Sequence, residues 1–147
     1  MTVTSEVDNL LEVSNRDGRT IRCLLELPET GQTDAPCVIV APSYALSMRH
    51  FGPLSLFLTR NGFRCLRFDY TDHVGASAGD VYDFRLSSAA DDLGAVLGAV
   101  RDWGVSGPVG VVSVSSILAM ILFKERLSRL KTFGLAVGLM AVALLNR

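Results

Sequence analysis

Hydrophobic positions fall along this chain in short strand-like and helix-like blocks separated by polar turns. Leu10–Ser14 and Thr20–Leu27 flank the polar stretch Asn15–Arg19, where Asp17-Gly18 supplies the positive-φ position of a tight turn, so a hairpin is predicted. Ile21, Cys23, Leu25 and Leu27 alternate only partly with polar residues, and Pro28 ends the run. After turn formers over 29–36, Cys37–Ala41 (CVIVA) is continuously apolar, the pattern of a strand covered on both faces. Phe51, Leu54, Phe57 and Leu58 predict one face of a helix over about 49–61, stopped by Asn61-Gly62. Phe63–Phe68 (FRCLRF) is the next strand. Leu86, Ala89 or Ala90, Leu93, Val96, Leu97, Val100 and Trp103 recur at steps of three and four, which predicts an amphipathic helix with a buried Leu stripe ended by Gly104 and Gly107-Pro108. Val109–Val114 reads as a further buried strand. Strands separated by single helices are joined most economically as a parallel sheet. The predicted fold class is therefore α/β: an N-terminal hairpin followed by a parallel β-α-β-α-β unit.

The pattern changes after Ser116. Ile117–Phe123 is apolar all round, Lys124–Lys131 (KERLSRLK) is a basic connector, and Thr132–Leu145 is an uncharged run with Gly134 and Gly138 four apart. One or two hydrophobic helices are expected here. The second run would be about 21 Å long as a helix, against a bilayer core of about 30 Å. The formal net charge of −1 hides an asymmetry, because the only acid after Asp102 is Glu125. This shift places an expected boundary at residues 115–116, with one domain over 1–115 and a hydrophobic segment over 116–147. Leu118, Ile121, Phe133, Leu135, Leu139 and Val142 are the candidate membrane contacts.

Charge and cysteine content exclude several functions. A net charge of −1 offers no basic field for nucleic acid. Three cysteines (Cys23, Cys37, Cys65) without metal-type spacing are expected to be buried, reduced thiols. Asp69, Asp72, Asp91 and Asp92 read as solvated carboxylates of loops and a helix start. No metal and no cofactor is expected. The N-terminus is acidic and has no apolar signal region, so a cytoplasmic location is expected, with membrane association through residues 117–145 as the alternative.

Chemistry in such sheets gathers beyond the carboxyl ends of the strands. Three segments qualify: the loop after Ala41, the loop 69–79, and the turn after Val114. A serine on a sharp strand-to-helix turn is the nucleophile elbow of α/β-hydrolases, usually written G-x-S-x-G. Here the run is Ser113-Val114-Ser115-Ser116-Ile117. Ser113 can stand in for the first glycine, whereas Ile117 occupies the place of the last. Spacing alone leaves Ser115 open between a nucleophile and a structural serine.

Residues 38 to about 115 resemble the acyl transferase of bacterial bioluminescence systems, a myristoyl-ACP thioesterase with the α/β-hydrolase fold. The resemblance lies in VIVAPSYALSMRHFGPLSLFLTRNGF (38–63), above all Met48, His50, Phe51, Asn61, Gly62 and Phe63. It continues in RFDYTDHVGASAG (67–79), with Arg67, Asp69, His73-Val74-Gly75, Ser77 and Gly79. That family's nucleophile follows the VGVV strand in a small-x-Ser-x-Ser elbow, which implies Ser115. It also implies an acyl-enzyme formed from an acyl thioester or an acyl carrier protein, with an oxyanion held by the backbone N–H of Ser116 and of Ser43 or Tyr44. The triad order in this fold is Ser, then Asp or Glu, then His. Residues 116–147 contain neither Asp nor His, and His50 and His73 match structural positions of the motif, so the implied activity is impaired in this chain.

Residues 117–147 resemble the last helical hairpin of EamA-type drug/metabolite transporters, in the order apolar run, ERLS connector, Gly-rich apolar run, Asn. Together the two resemblances describe a truncated α/β-hydrolase half joined to a transporter-like tail. The alternatives are a serine acyl transferase, a non-catalytic membrane-associated fragment, and a small α/β protein whose tail rebuilds the core. Self-association through the edge of the Val109–Val114 strand or through the tail is expected.

Overall fold

The computed structural model describes residues 10–29, 31–32, 34–43 and 45–113. The hairpin forms as the turn chemistry predicts. β1 (Leu10–Ser14) and β2 (Thr20–Glu26) pair antiparallel, with Ser14 opposite Thr20. Gly18 takes φ 74°, and the Asn15 side chain closes the turn by accepting the N–H groups of Asp17 and Arg19. β3 (Cys37–Ala41) is followed by a 3-10 turn at Met48–Phe51 that runs into α1 (Gly52–Arg60), then β4 (Arg64–Phe68), α2 (Leu86–Ala99) and β5 (Val109–Ser113). A second 3-10 turn occupies Val81–Asp83.

The sheet order is β1-β2-β4-β3-β5. β2 and β4 are antiparallel, whereas β3 runs parallel to both β4 and β5. Strand side chains alternate between faces, so the sheet makes two cores. On one face Ile21, Cys23, Leu25, Ile39, Leu66 and Phe68 pack under Val96 of α2 and Val100 just past its end. On the other, Val40 and Cys65 pack under Phe51, Leu54 and Leu58.

β4 is buried along its whole length although it carries two arginines. Each has a partner that offsets desolvation. Arg67 donates Nη2 and Nε to Glu26 Oε2 at 2.8 and 2.9 Å and Nη1 to the Met48 carbonyl at 2.8 Å, and Arg64 Nη1 reaches the Gly104 carbonyl at 2.5 Å. Ser55 of α1 donates to the same Glu26 carboxylate.

Three expectations fail here. Phe57 is 59% exposed, because the buried face of α1 runs through Ser55 and Thr59, with Leu54 and Leu58 half-buried beside them. The α2 stripe excludes Leu86 and Leu97, which are exposed. It runs instead through Ala89, Asp92, Val96 and Val100, with Leu93 and Trp103 packed at its margin. β5 is not buried on both faces. Among the described residues it pairs only with β3, and Val111 and Val112 are each 43% exposed.

The thiols are as expected. Cys23, Cys37 and Cys65 are free and buried, and desolvation pushes the Cys23 thiol up to about 12 and the other two up to about 11. No helix among the described residues is long and apolar enough to cross a membrane. The expected membrane contacts Leu118, Ile121, Phe133, Leu135, Leu139 and Val142 lie outside the described residues, as does the whole segment 116–147.

Candidate functional site

The carboxyl ends of β3, β4 and β5 point the same way. From β3 the chain passes through α1 to β4 on one side, then crosses through α2 to β5 on the other. The winding therefore reverses at β3, and such a switch point opens a crevice at the carboxyl ends of the diverging strands. Ala41 lies opposite Ser113 in the β3–β5 register, so the loop leaving β3 and the chain leaving β5 start side by side. Ser43 lies two residues past the end of β3. Ser115 and Ser116 follow β5, and with Tyr44 they lie outside the described residues.

The loop after β3 has nearly all its amides committed. Ala45 N–H donates to His73 Nε2 at 3.0 Å, Leu46 N–H to the Ser43 carbonyl at 3.1 Å, Ser47 N–H to His50 Nδ1 at 3.1 Å, and Met48 N–H to Asp69 Oδ1 at 2.6 Å. Among the described residues, the N–H of Ser43 donates to no protein group. Ala45 has φ 66°, the left-handed region that a residue with a Cβ rarely enters.

The loop after β4 supplies the acceptors. Asp69 is buried and also takes the Ala76 N–H on Oδ2 at 2.8 Å, while its carbonyl accepts the Ser77 hydroxyl at 2.6 Å. Ser77 Oγ in turn accepts the Arg22 N–H at 2.8 Å. Asp72 is buried against Arg19 and accepts the Asp80 N–H at 3.2 Å. Two glycines permit this packing. A Cβ on Gly75 (φ 148°) would overlap the Asp69 carboxylate, and one on Gly79 (φ 112°) would overlap Asp72. The H-V-G-x-S-x-G run thus wraps a chain around two buried carboxylates.

A third carboxylate ties the hairpin turn to α2. Asp92 accepts Asn15 Nδ2 at 2.9 Å, the Thr71 N–H at 2.6 Å and the Thr71 hydroxyl at 2.8 Å. Asp69, Asp72 and Asp92 are therefore not the solvated side chains their polarity predicts; only Asp91 is exposed. A carboxylate that accepts two or three hydrogen bonds can be buried at tolerable cost. The sequence did hold a signal for Asp92, which stands at a stripe position three after Ala89 and four before Val96. Phe68, Tyr70, His73 and Phe84 form an aromatic cluster beside these loops, with the His73 and Phe84 rings 4.9 Å apart. Burial, with Asp92 adding to it, pushes the Tyr70 phenol up. No group of His, Cys, Asp and Glu among the described residues is placed to hold a metal ion.

A family model described as acyl transferase matches residues 5–146. The chain belongs to the acyl transferase family. It is 32% identical over 111 residues to an acyl transferase of Aliivibrio fischeri, covering 74% of this chain and 35% of that protein. It is 29% identical over 119 residues to an acyl transferase of Photobacterium leiognathi, covering 80% and 36%. The chain thus spans about a third of the length of the curated relatives it matches. Among solved structures, Est1E of Butyrivibrio proteoclasticus with ferulic acid bound superposes with a TM-score of 0.64 at 20% identity, covering 76% of this chain and 47% of that one. A Pyrococcus furiosus esterase gives a TM-score of 0.60 at 25% identity, covering 71% and 38%. The α/β-hydrolase half expected from the sequence is the fold observed. The family match passes through the 115–116 boundary, and none of these comparisons supports a transporter origin for residues 117–147.

Proposed function

We propose that this chain carries the nucleophile and oxyanion part of a serine acyl-transfer site acting on an acyl thioester or ester, acyl carrier protein included. Ser115 Oγ attacks the acyl carbonyl and the C–S or C–O bond to the leaving group breaks. The hydroxyl proton passes through solvent to the departing thiolate or alkoxide, and water or another acceptor then takes the acyl group from Ser115. The N–H groups of Ser43 or Tyr44 and of Ser116 hold the oxyanion. The observation that carries this reading is the pairing of Ala41 with Ser113 at the switch point, beside a Ser43 N–H that no described group uses.

Residues 116–147 supply neither Asp nor His, so Ser115 keeps an unassisted hydroxyl unless a base comes from elsewhere. Triad knockouts in serine hydrolases keep about 10³-fold catalysis over water from oxyanion and binding effects, which is the range for Ser115 acting with no base. The test is labelling by a fluorophosphonate probe, wild type beside Ser115→Ala, with thioester hydrolysis on the same samples. Labelling lost in Ser115→Ala supports the proposal; a folded chain that never labels refutes it.

A second reading rests on the uncharged run Thr132–Leu145. It makes the chain a membrane-associated, non-catalytic fragment in which residues 117–145, of transporter-like type, enter lipid. Recovery of the protein in the supernatant after high-pH carbonate extraction would refute it. The family match through residue 146 favours the first reading.

A further inference from the structure

We propose that His73 and Asp69 are positioning residues for oxyanion stabilisation: by accepting the N–H groups of Ala45 and Met48 they hold the loop after β3 so that the Ser43 N–H is left for the substrate. This inference rests on the acyl-transfer reading above and adds to it two residues that act through the loop after β3.

Three observations carry it. First, the four amides from Ala45 to Met48 are all consumed within the protein, two of them by side chains of the loop after β4. With the amides of Ala45 to Met48 used, the Ser43 N–H is the donor among the described residues of this loop that is left to present. Second, Ala45 is held at φ 66°. A left-handed alanine costs about 1–2 kcal/mol and persists only where its surroundings over-determine it. The bond from its own N–H to His73 Nε2 is the contact placed to do so. Third, both acceptors come from one segment, residues 69–73, which is itself fixed. Asp69 is locked by Ala76 and Ser77, and the Asp72 N–H donates to the Ala78 carbonyl at 3.0 Å. Arg67 adds a third tie by donating to the Met48 carbonyl. The two loops are thereby a single unit, and preorganised donors of this kind are what lower the barrier of acyl transfer.

The geometry also fixes how His73 works. Its Nε2 accepts a hydrogen bond and so carries no proton in this contact, which gives it no proton to donate there. A glutamine can keep an acceptor at similar reach, an asparagine is one methylene too short, and a leucine has none.

The test uses the full chain and its His73→Gln, His73→Asn and His73→Leu variants. Two quantities are read on each: amide hydrogen exchange at Ala45 by NMR, and the kcat and KM for acylation of Ser115 by a p-nitrophenyl ester. The expected result is slow Ala45 exchange in wild type and His73→Gln, with exchange at least about tenfold faster in His73→Asn and His73→Leu. Acylation kcat should fall about 10- to 100-fold in the same two variants with KM little changed, as small misplacements of preorganised groups do. His73→Gln should restore most of it. Fast Ala45 exchange in the wild type overturns the inference. So does loosening of Ala45 that leaves kcat untouched, and so does a loss in which glutamine rescues nothing. If His73→Leu unfolds, seen as lost protection across β3 and β4, the asparagine and glutamine pair decides alone. If the wild type never acylates, the acyl-transfer reading has failed, and the exchange data then decide whether His73 fixes the loop.

Discussion

The loop after β4 and the strand β5 bracket the same end of the sheet and are held in opposite ways. Residues 69–79 are held by polar groups: three buried carboxylates among or beside them accept backbone and side-chain donors from the hairpin, from the loop after β3 and from the loop itself. β5 is held by its ladder to β3, and its valines stand half out of the packing. Hydrogen bonds to buried carboxylates set geometry closely and penalise any loss, because the partner is left unsatisfied. A strand exposing two valines contributes less and depends more on what lies against it. This end of the sheet therefore joins a polar-locked half, which carries the loop after β3, to a strand with few constraints, after which the proposed nucleophile Ser115 follows in sequence.

The contrast can be broken most strongly at Asp69. Asp69→Ala leaves the buried N–H of Met48 and the part-buried N–H of Ala76 without acceptors, and a loss of about 3–5 kcal/mol is expected in urea unfolding. Alkaline pH should reach the interior strands β2, β3 and β4, each of which buries a thiol, and spare β5, which has none. Unfolded thiols ionise near 9.0, while the folded ones hold their protons up to about 11 or 12. The stabilisation is thus fully present below about pH 9 and is lost as pH rises towards 11. Unfolding free energies should fall across that window, by roughly 4 kcal/mol in all at pH 10. Replacing all three cysteines with serine or alanine would flatten the dependence. Gly79→Ala forces a Cβ against Asp72 at a positive φ, and about 2–3 kcal/mol is expected, read as a lowered Tm. Val111→Thr on β5 should cost only about 0.5 kcal/mol or less, close to a surface substitution. A Val111→Thr loss as large as that of Asp69→Ala would erase the distinction between the two regions.

The legible parts of the sequence were those governed by local rules. Asp17-Gly18 fixed the hairpin turn, and CVIVA and FRCLRF gave their strands because a doubly covered strand has no alternation to show. The spacing from Ala89 to Val100 gave α2. The loops after β3 and β4 lie at the strand ends where the sequence placed them. Polarity misled at Asp69, Asp72 and Asp92, since the cost of burying a carboxylate depends on donors that come from residues 15, 19, 48, 71, 76 and 80. It misled at Phe57 because the buried side of α1 is chosen by the Glu26–Arg67 pair, which draws Ser55 inward.

By itself the sequence determined which segments form strands and helices and the α/β class with its parallel β3, β4 and β5. These follow from backbone conformation and from apolar periodicity, which act over a few residues. Only the tertiary structure decided that β3 lies between β4 and β5, that Asp69 and His73 take the amides of the neighbouring loop, and that three carboxylates sit in the interior. Those depend on donors and acceptors far apart in the chain that meet only when the sheet is assembled. A polar side chain has no preference for burial until its partners are in place.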